Sequence, residues 1–530
     1  MTPIFYLKFR EDPAMKYTLS ISAALLLAMS QAQPSLAQNG ANDLVKQAIA
    51  AEGGADALRA LKGLAIKGEA KFWEPEQSEK AGGEPRFLGD ATFTETWDLA
   101  NGMARTEWDR DQKYPDPPLK LKYTETVSPT LGYITDDKGS RAMSGIRVAT
   151  HLRELGRASP WLLVKAMDAP KSVAAMGNQK LGKQSLPAVS FMDNGSKFTI
   201  LFDSKTHLPA AIRTRDDDNI HGDSDYDLVL GDWKAVGSVK LAHSLSYQLN
   251  GVEVAKLTYK DVSANPMIAA DAFAAPDAVK SAAKGPATSN VPYQWVLRRL
   301  FLTRFVDSDS ILYPPGGGLK LVELAPNVQQ VQGGSANNLI VAMKDHLVIF
   351  DAPYGELQSR WVIDAAKEKY PGKPIKYLVL THHHMDHTGG TRTYIAEGAQ
   401  VIVPSPDKTH FEKVARAPHT VVPDELQKKP QPAKIVEVKD QMTLKDDVGE
   451  IRLYNIPNPH AQGMIIGHVA KDNIVWVTDL VSPRGAIERT PGTVAVGEAL
   501  RKYGVTDATI AGGHGTTAKQ ADIAPALAQN

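Results

Sequence analysis

The stretch Thr381-His382-His383-His384-Met385-Asp386-His387-Thr388-Gly389-Gly390 holds four of the fourteen histidines of this 530-residue chain within six residues, with an aspartate among them. Before it, Ile375-Lys376-Tyr377-Leu378-Val379-Leu380 is a short apolar run, the pattern of a buried strand handing over to a loop. Side chains of an extended backbone alternate in direction, so His382 and His384 project together and can share one ion. A turn at Asp386-His387 lets these two face a second ion, and Gly389-Gly390 allows the chain to pass close by. His383 and Met385 read as bystanders. A polyhistidine tag would lie at a terminus without this aspartate, so the stretch predicts a metal site at a strand end.

Around this site the composition narrows the chemistry. Sixty basic and sixty acidic residues cancel, leaving no overall field to attract nucleic acid or an anionic membrane; a small-molecule substrate is the expected partner. The length predicts two or three domains. There is no cysteine, which excludes disulfides and a lipid-modified cysteine and leaves His, Asp and Glu as metal ligands.

Residues 1–37 read as a signal peptide, with a possible upstream extension over residues 1–14. Met15-Lys16 is the charged start, Leu19 to Met29 the apolar run, and Ala32 or Ala37 the cleavage point. The run is short for a membrane span, although an N-terminal anchor is the alternative. The expectation is a periplasmic or secreted protein with no stable membrane span after cleavage and of open oligomeric state.

Residues 41–278 predict an antiparallel β domain with few helices. Short helices are expected at Asp43 to Ala51 and Ala55 to Leu61, and another around Arg157 to Met167. Alternating segments occupy Leu64 to Phe72, Ala91 to Asp98, Ala104 to Asp109, Leu119 to Val127, Lys197 to Phe202, Ala210 to Arg215, Val239 to Leu249 and Glu253 to Val262. His151, His207, His221 and His243 show no partner spacing and read as ordinary histidines. The opening Ala50-Ala51-Glu52-Gly53-Gly54-Ala55-Asp56-Ala57-Leu58, the strand pair from Gly89 to Arg105 and the closing Asn265 to Pro276 resemble the lipoprotein-localisation type of periplasmic domain. That resemblance implies a curved sheet with a helix in its concavity, either cradling an apolar ligand or only supporting the second domain.

Residues 279–318 read as a linker with a short helix over Trp295 to Phe305. Residues 319–530 then alternate strand and helix. Asp351 closes a strand and reads as a structural carboxylate. Further strand ends present His460 after Pro457-Asn458-Pro459, Asp479 after Ile474-Val475-Trp476-Val477-Thr478, and His514 between glycines. His468 lies inside a strand and reads as packing or surface. His410 and His419 sit in a Pro- and Lys-rich stretch, reaching a substrate or forming a cover loop.

These residues resemble the metallo-β-lactamase fold family of binuclear metallohydrolases, whose pattern is His-x-His-x-Asp-His followed by a later His, an Asp and a final His. The resemblance implies a four-layer αβ/βα sandwich. It implies that His382, His384 and His460 hold the first metal, that Asp386, His387 and His514 hold the second, and that Asp479 bridges them. Nitrogen ligands at one ion and carboxylates at the other suit two Zn2+, with Fe or Mn as alternatives. The expected activity is hydrolysis of a carbonyl substrate by a metal-bridging hydroxide, with Asp386 holding or accepting its proton as the catalytic residue. β-Lactamases of this family usually carry cysteine or serine near the second metal. They usually lack a bridging aspartate at the place of Asp479, so Asp479 and the want of any cysteine favour an ester, lactone or thioester over a β-lactam or phosphoester. A one-iron sulfur dioxygenase, and an apolar-ligand-binding protein with a vestigial metal domain, are the readings from other classes.

Overall fold

The computed structural model describes residues 39–115, 118–283, 285, 287, 293–302 and 319–528. The signal segment and the end of the helix expected at Phe305 lie outside the described residues. The chain forms two domains: a 13-stranded antiparallel sheet with few helices, then two mixed sheets with helices. By compactness the chain divides differently. One unit contains the residues up to Ala60, Gly156–Arg213 and Lys234–Leu241, and the other contains Leu61–Leu155, Thr214–Trp233 and everything from Ala242 on.

In the first unit a helix over 39–51 buries Ala41, Val45, Ala48 and Ile49, spaced for one helix face. The expected helix around Arg157 to Met167 is instead two helices, Gly145–Ala158, most of which belongs to the other unit, and Leu162–Asp168. Pro160 between them cannot donate to a helical ladder. Strands Ala174–Leu181 and Gln184–Asp193 escape the sequence reading, as do Gly132–Asp136, Gly139–Ala142 and Gly222–Val236 elsewhere. The first of these shows no buried face at all, and Gly222–Val236 opens with Asp223-Ser224-Asp225-Tyr226-Asp227, which hides its alternation.

In the second unit strand Gly63–Glu74 shows the expected period of two, burying Leu64, Ile66, Ala70 and Phe72 and exposing Lys67, Glu69 and Lys71. It pairs antiparallel with Arg86–Asp98 and Val252–Ala264. Helix Tyr293–Leu302 packs on it, with Phe301 against Phe72 at 5.0 Å between ring centroids.

The same unit contains two further sheets. One has seven strands in the order Lys320–Ala325, Val328–Gln332, Asn338–Ala342, Leu347–Phe350, Ile375–Val379, Gln400–Pro404 and Ile435–Val438. Its first four strands are antiparallel and its last pairings parallel. The other has six, Gln441–Lys445, Glu450–Asn455, Ile465–Val469, Ile474–Val477, Thr509–Gly512 and Thr517–Lys519. Leu339, Val341, Phe350 and Val379 of one sheet form a single buried core with Ile451, Leu453, Ile465 and Trp476 of the other. Helix Glu356–Lys369 buries Val362, Ile363 and Ala366, while helix Pro491–Lys502 buries Val496 and Leu500 with the side chains of the six-stranded sheet. Continuous apolar strands between helices are what a sheet buried on both faces requires.

Candidate metal centre

Every metal-ligating residue expected from the sequence arrives at one place, carried on strand ends. Strand Ile375–Val379 ends just before His382 and His384, and the short helix Met385–Thr388 follows with Asp386 and His387. Gly389 is required there by close approach, since a Cβ on it would lie 2.2 Å from the Tyr354 carbonyl oxygen. Asp479 follows strand Ile474–Val477 with φ +49°, the left-handed region that costs a non-glycine residue energy and is concentrated at functional sites. His514 sits in a turn held by Asn337, whose Nδ2 donates to the carbonyls of Gly512 at 2.9 Å and Gly515 at 2.8 Å. Gly513 clears that turn, because a Cβ there would meet Thr478 Cγ2 at 2.3 Å.

The ligand atoms form two groups, His382–His384–His460–Asp479 and Asp386–His387–Asp479–His514, with Asp479 common to both. Asp479 Oδ2 lies 3.1 Å from His382 Nε2 and 3.0 Å from His460 Nε2. Its Oδ1 lies 3.2 Å from His387 Nε2 and 2.8 Å from His514 Nε2. Burial raises the Asp479 carboxyl, and the imidazoles of His387, His514 and His460 more than reverse this, holding it well below the usual carboxylate range. Burial likewise raises Asp386, but His387 and Arg299 outweigh it and the net shift is downward.

Burial keeps the imidazoles of His382 and His384 neutral. Burial lowers His382 to about 4, against the opposing pull of Asp479, and holds His384 well below its ordinary value. His384 Nε2 lies 2.9 Å from the Ser78 carbonyl oxygen, so this nitrogen carries the proton and Nδ1 is left bare, 2.9 Å from His460 Nε2. His387 is different: burial lowers it, but Asp479, Asp351 and Asp386 raise it well above its ordinary value. His382 Nε2 is buried and finds no aligned hydrogen-bond partner. Such an orphaned nitrogen, among imidazoles and carboxylates converging on both oxygens of one aspartate, fits divalent cations and is consistent with a binuclear site.

Asp351 does what its sequence position suggests. Its Oδ1 accepts from the Thr381 backbone N–H and hydroxyl, both at 2.9 Å, and its Oδ2 accepts from Trp476 Nε1 at 3.3 Å and faces His387 Nδ1 at 3.4 Å. It therefore orients His387 from behind. His383 points away from the ligand groups, with Nε2 2.9 Å from Ser78 O and Nδ1 3.7 Å from Asp407. His468 meets Asn473 at 3.0 Å. His410 packs 6.2 Å from the His383 ring, and His419 is buried with Nδ1 2.8 Å from Asp217 Oδ1; neither joins the ligand groups.

The sequence reading missed a set of side chains and carbonyls that reach the centre from residues 74–114, within the same compact unit. Gln77 Nε2 donates to Asp386 Oδ1 at 2.6 Å, and Tyr114 OH donates to Gln77 Oε1 at 2.6 Å. Arg86 donates through Nε to the Gln77 carbonyl and through Nη2 to the His460 carbonyl, the latter at 2.9 Å. Arg299 is buried beside the Tyr354 hydroxyl, and its burial lowers it to about 10 although the Asp386 carboxylate opposes this. His221, read as ordinary, meets Glu76 at 2.7 Å. Contacts so distant in sequence leave no local spacing to read.

The chain resembles known proteins in its second half. Residues 332–524 match the Metallo-beta-lactamase superfamily model. Over 78 residues the chain is 32% identical to a linear primary-alkylsulfatase from Pseudomonas sp; the match spans 14% of this chain and only 12% of that relative. Among solved structures it is similar to a metallo-beta-lactamase from Pontibacter korlensis, at 16% identity and a TM-score of 0.31, over 39% of this chain and 97% of the other. The same identity, TM-score and share of this chain hold for a metallo-beta-lactamase from Hirschia baltica, 96% of which is covered. The sheet domain before residue 319 is of unidentified kind. Residues 332–524 are a metallo-beta-lactamase superfamily domain, and an intact set of histidines and aspartates with metal-ligand spacing lies within it.

Proposed function

We propose that the protein is an exported hydrolase that holds two zinc ions and cleaves a carbonyl ester, lactone or thioester. The observation that carries this reading is the carboxylate of Asp479 shared between the two ligand groups. His382, His384 and His460 would hold one ion, Asp386, His387 and His514 the other, and Asp479 both. When bound, the ions supply hydroxide at neutral pH and polarise the scissile group. The chain's own residues present the neutral imidazoles of His382 and His384, keep the two carboxylates ionised, and place Asp386 to hold or accept a proton at its carboxylate. Export rests on the charged and apolar pattern of residues 15–37. The sheet domain is read as the lipoprotein-localisation type, for which a helix packed on strand Gly63–Glu74 is support.

A second substrate class, an alkyl sulfate, is favoured by the match to the alkylsulfatase and by the buried cation of Arg299 near Asp386. Elemental analysis of the purified protein, with turnover tests on lactone, thioester, aryl ester, β-lactam, phosphotriester and alkyl sulfate substrates, separates these readings. Two zinc per chain with turnover of a carbonyl ester is the expected result. A single iron with no turnover of any of these substrates would overturn it.

A further inference from the structure

One short segment outside residues 332–524 touches three of the ligand residues. Within residues 77–86, the Gln77 amide reaches Asp386, the Ser78 carbonyl reaches His384 and Arg86 reaches the His460 carbonyl. The contact to Asp386 has a fixed polarity. An amide offers an acceptor at one end and a donor at the other, and the two exchange if it rotates by half a turn. The ionised Asp386 offers only acceptors, so Nε2 faces it and donates to Oδ1, and the Oε1 left at the other end accepts from Tyr114 OH at 2.6 Å. With Oδ1 occupied, Oδ2 is the oxygen turned toward His387 Nε2, at 3.9 Å. Gln77 is itself buried, at 2% exposure, and Arg86 anchors its carbonyl, so the amide is supported from both ends.

We propose that Gln77 is a positioning residue of the second metal site: its amide, locked by Tyr114, holds the Asp386 carboxylate with one oxygen presented to the ion. The sheet domain thereby supplies an outer partner that residues 332–524 do not contain. This rests on the binuclear reading above. Outer partners of metal ligands act by fixing orientation and charge, and their loss costs about 10–100-fold in affinity for the metal or in activity. The first group, which Gln77 does not touch, should be spared.

The test is a titration of metal-stripped full chain with Co2+, following its visible absorption, together with zinc content after dialysis, in wild type, Gln77→Glu and Tyr114→Phe. Gln77→Glu keeps the shape and the acceptor for Tyr114 but replaces the donor with a carboxylate facing a carboxylate. Wild type is expected to take up two ions. Gln77→Glu should take up the first as wild type does, which also reports an intact fold, and bind the second at least about 10-fold more weakly. Tyr114→Phe, which frees the amide to rotate, should weaken the second ion by less. Two equally tight ions in Gln77→Glu would overturn the proposal while leaving the binuclear reading standing, and so would equal weakening of both ions. A wild type that takes up one ion would overturn both.

Discussion

His384 turns its Nε2 to the Ser78 carbonyl at 2.9 Å and thereby leaves its Nδ1 facing His460. A backbone atom distant in the chain thus selects the tautomer of a histidine in the first cluster. His384→Ala removes both ends of this arrangement. Turnover should fall by more than the about 10–100-fold that outer partners cost. The residue lies after a strand rather than within the apolar core, so the variant should remain soluble and folded by circular dichroism. Unchanged turnover would refute the site.

Removing metal should cost stability as well as activity. Without cations, the carboxylates of Asp386 and Asp479 share a buried site with five imidazoles. A ligand present at about 100 times its dissociation constant stabilises the folded state by about 2.7 kcal/mol. Dialysis against a chelator should therefore lower the melting temperature and abolish turnover, and added zinc should restore both. A melting temperature indifferent to chelator would argue against metal at this place.

Arg298 of helix Tyr293–Leu302 pairs with two fully buried carboxylates, Glu74 at the end of strand Gly63–Glu74 and, at 2.8 Å, Asp218. Breaking a buried pair from one side leaves uncompensated charge and costs about 3–5 kcal/mol. Urea unfolding of Arg298→Leu should show a loss of that size. Adding Glu74→Gln and Asp218→Asn should recover part of it, since the charges left behind are then gone.

The His221–Glu76 pair makes stability depend on pH in a defined window. Burial lowers His221, but Glu76 more than offsets it and raises the imidazole from 6.5 to about 9. Its contribution is complete below the unfolded value and fades as pH climbs through the folded one. Burial would raise Glu76, but His221 and its neighbours lower it from 4.5 to about 2, so its contribution is complete above 4.5 and fades as pH falls. Wild type should thus be more stable than His221→Gln at about pH 6 and lose that advantage by about pH 10. Thermal melts of both proteins at the two pH values test this. A difference that does not change with pH would exclude the pair as its source.

Much of the ligand set was legible because each member ends an apolar strand or interrupts a glycine-flanked turn, and both patterns are local. His382 and Asp386 are four residues apart, and His460 and Asp479 each sit where a buried strand stops. The sheet strands that could be read were those with one buried face, such as Gly63–Glu74. Ala174–Leu181, with no buried face, offered no such alternation. Gln77, Ser78, Arg86 and Tyr114 were illegible for a different reason. The partners of Gln77, Ser78 and Arg86 lie some hundreds of residues later, Tyr114 acts through Gln77, and a glutamine beside a proline and glutamates reads as an ordinary turn until the fold closes it onto Asp386.

The buried contacts of Gln77, Arg86 and Arg298 change what counts as a separable piece of this chain. A fragment cut at residue 319 would keep all seven side chains of the two clusters and still leave behind the amide on Asp386, the carbonyl on His384 and the guanidinium on the His460 backbone. Gene fusion or exchange that treated residues 319–530 as a portable cassette would carry over the ligands without their supports. Inheritance of the sheet domain and the metallohydrolase domain as one unit, rather than shuffling of either alone, is the pattern such dependence would impose.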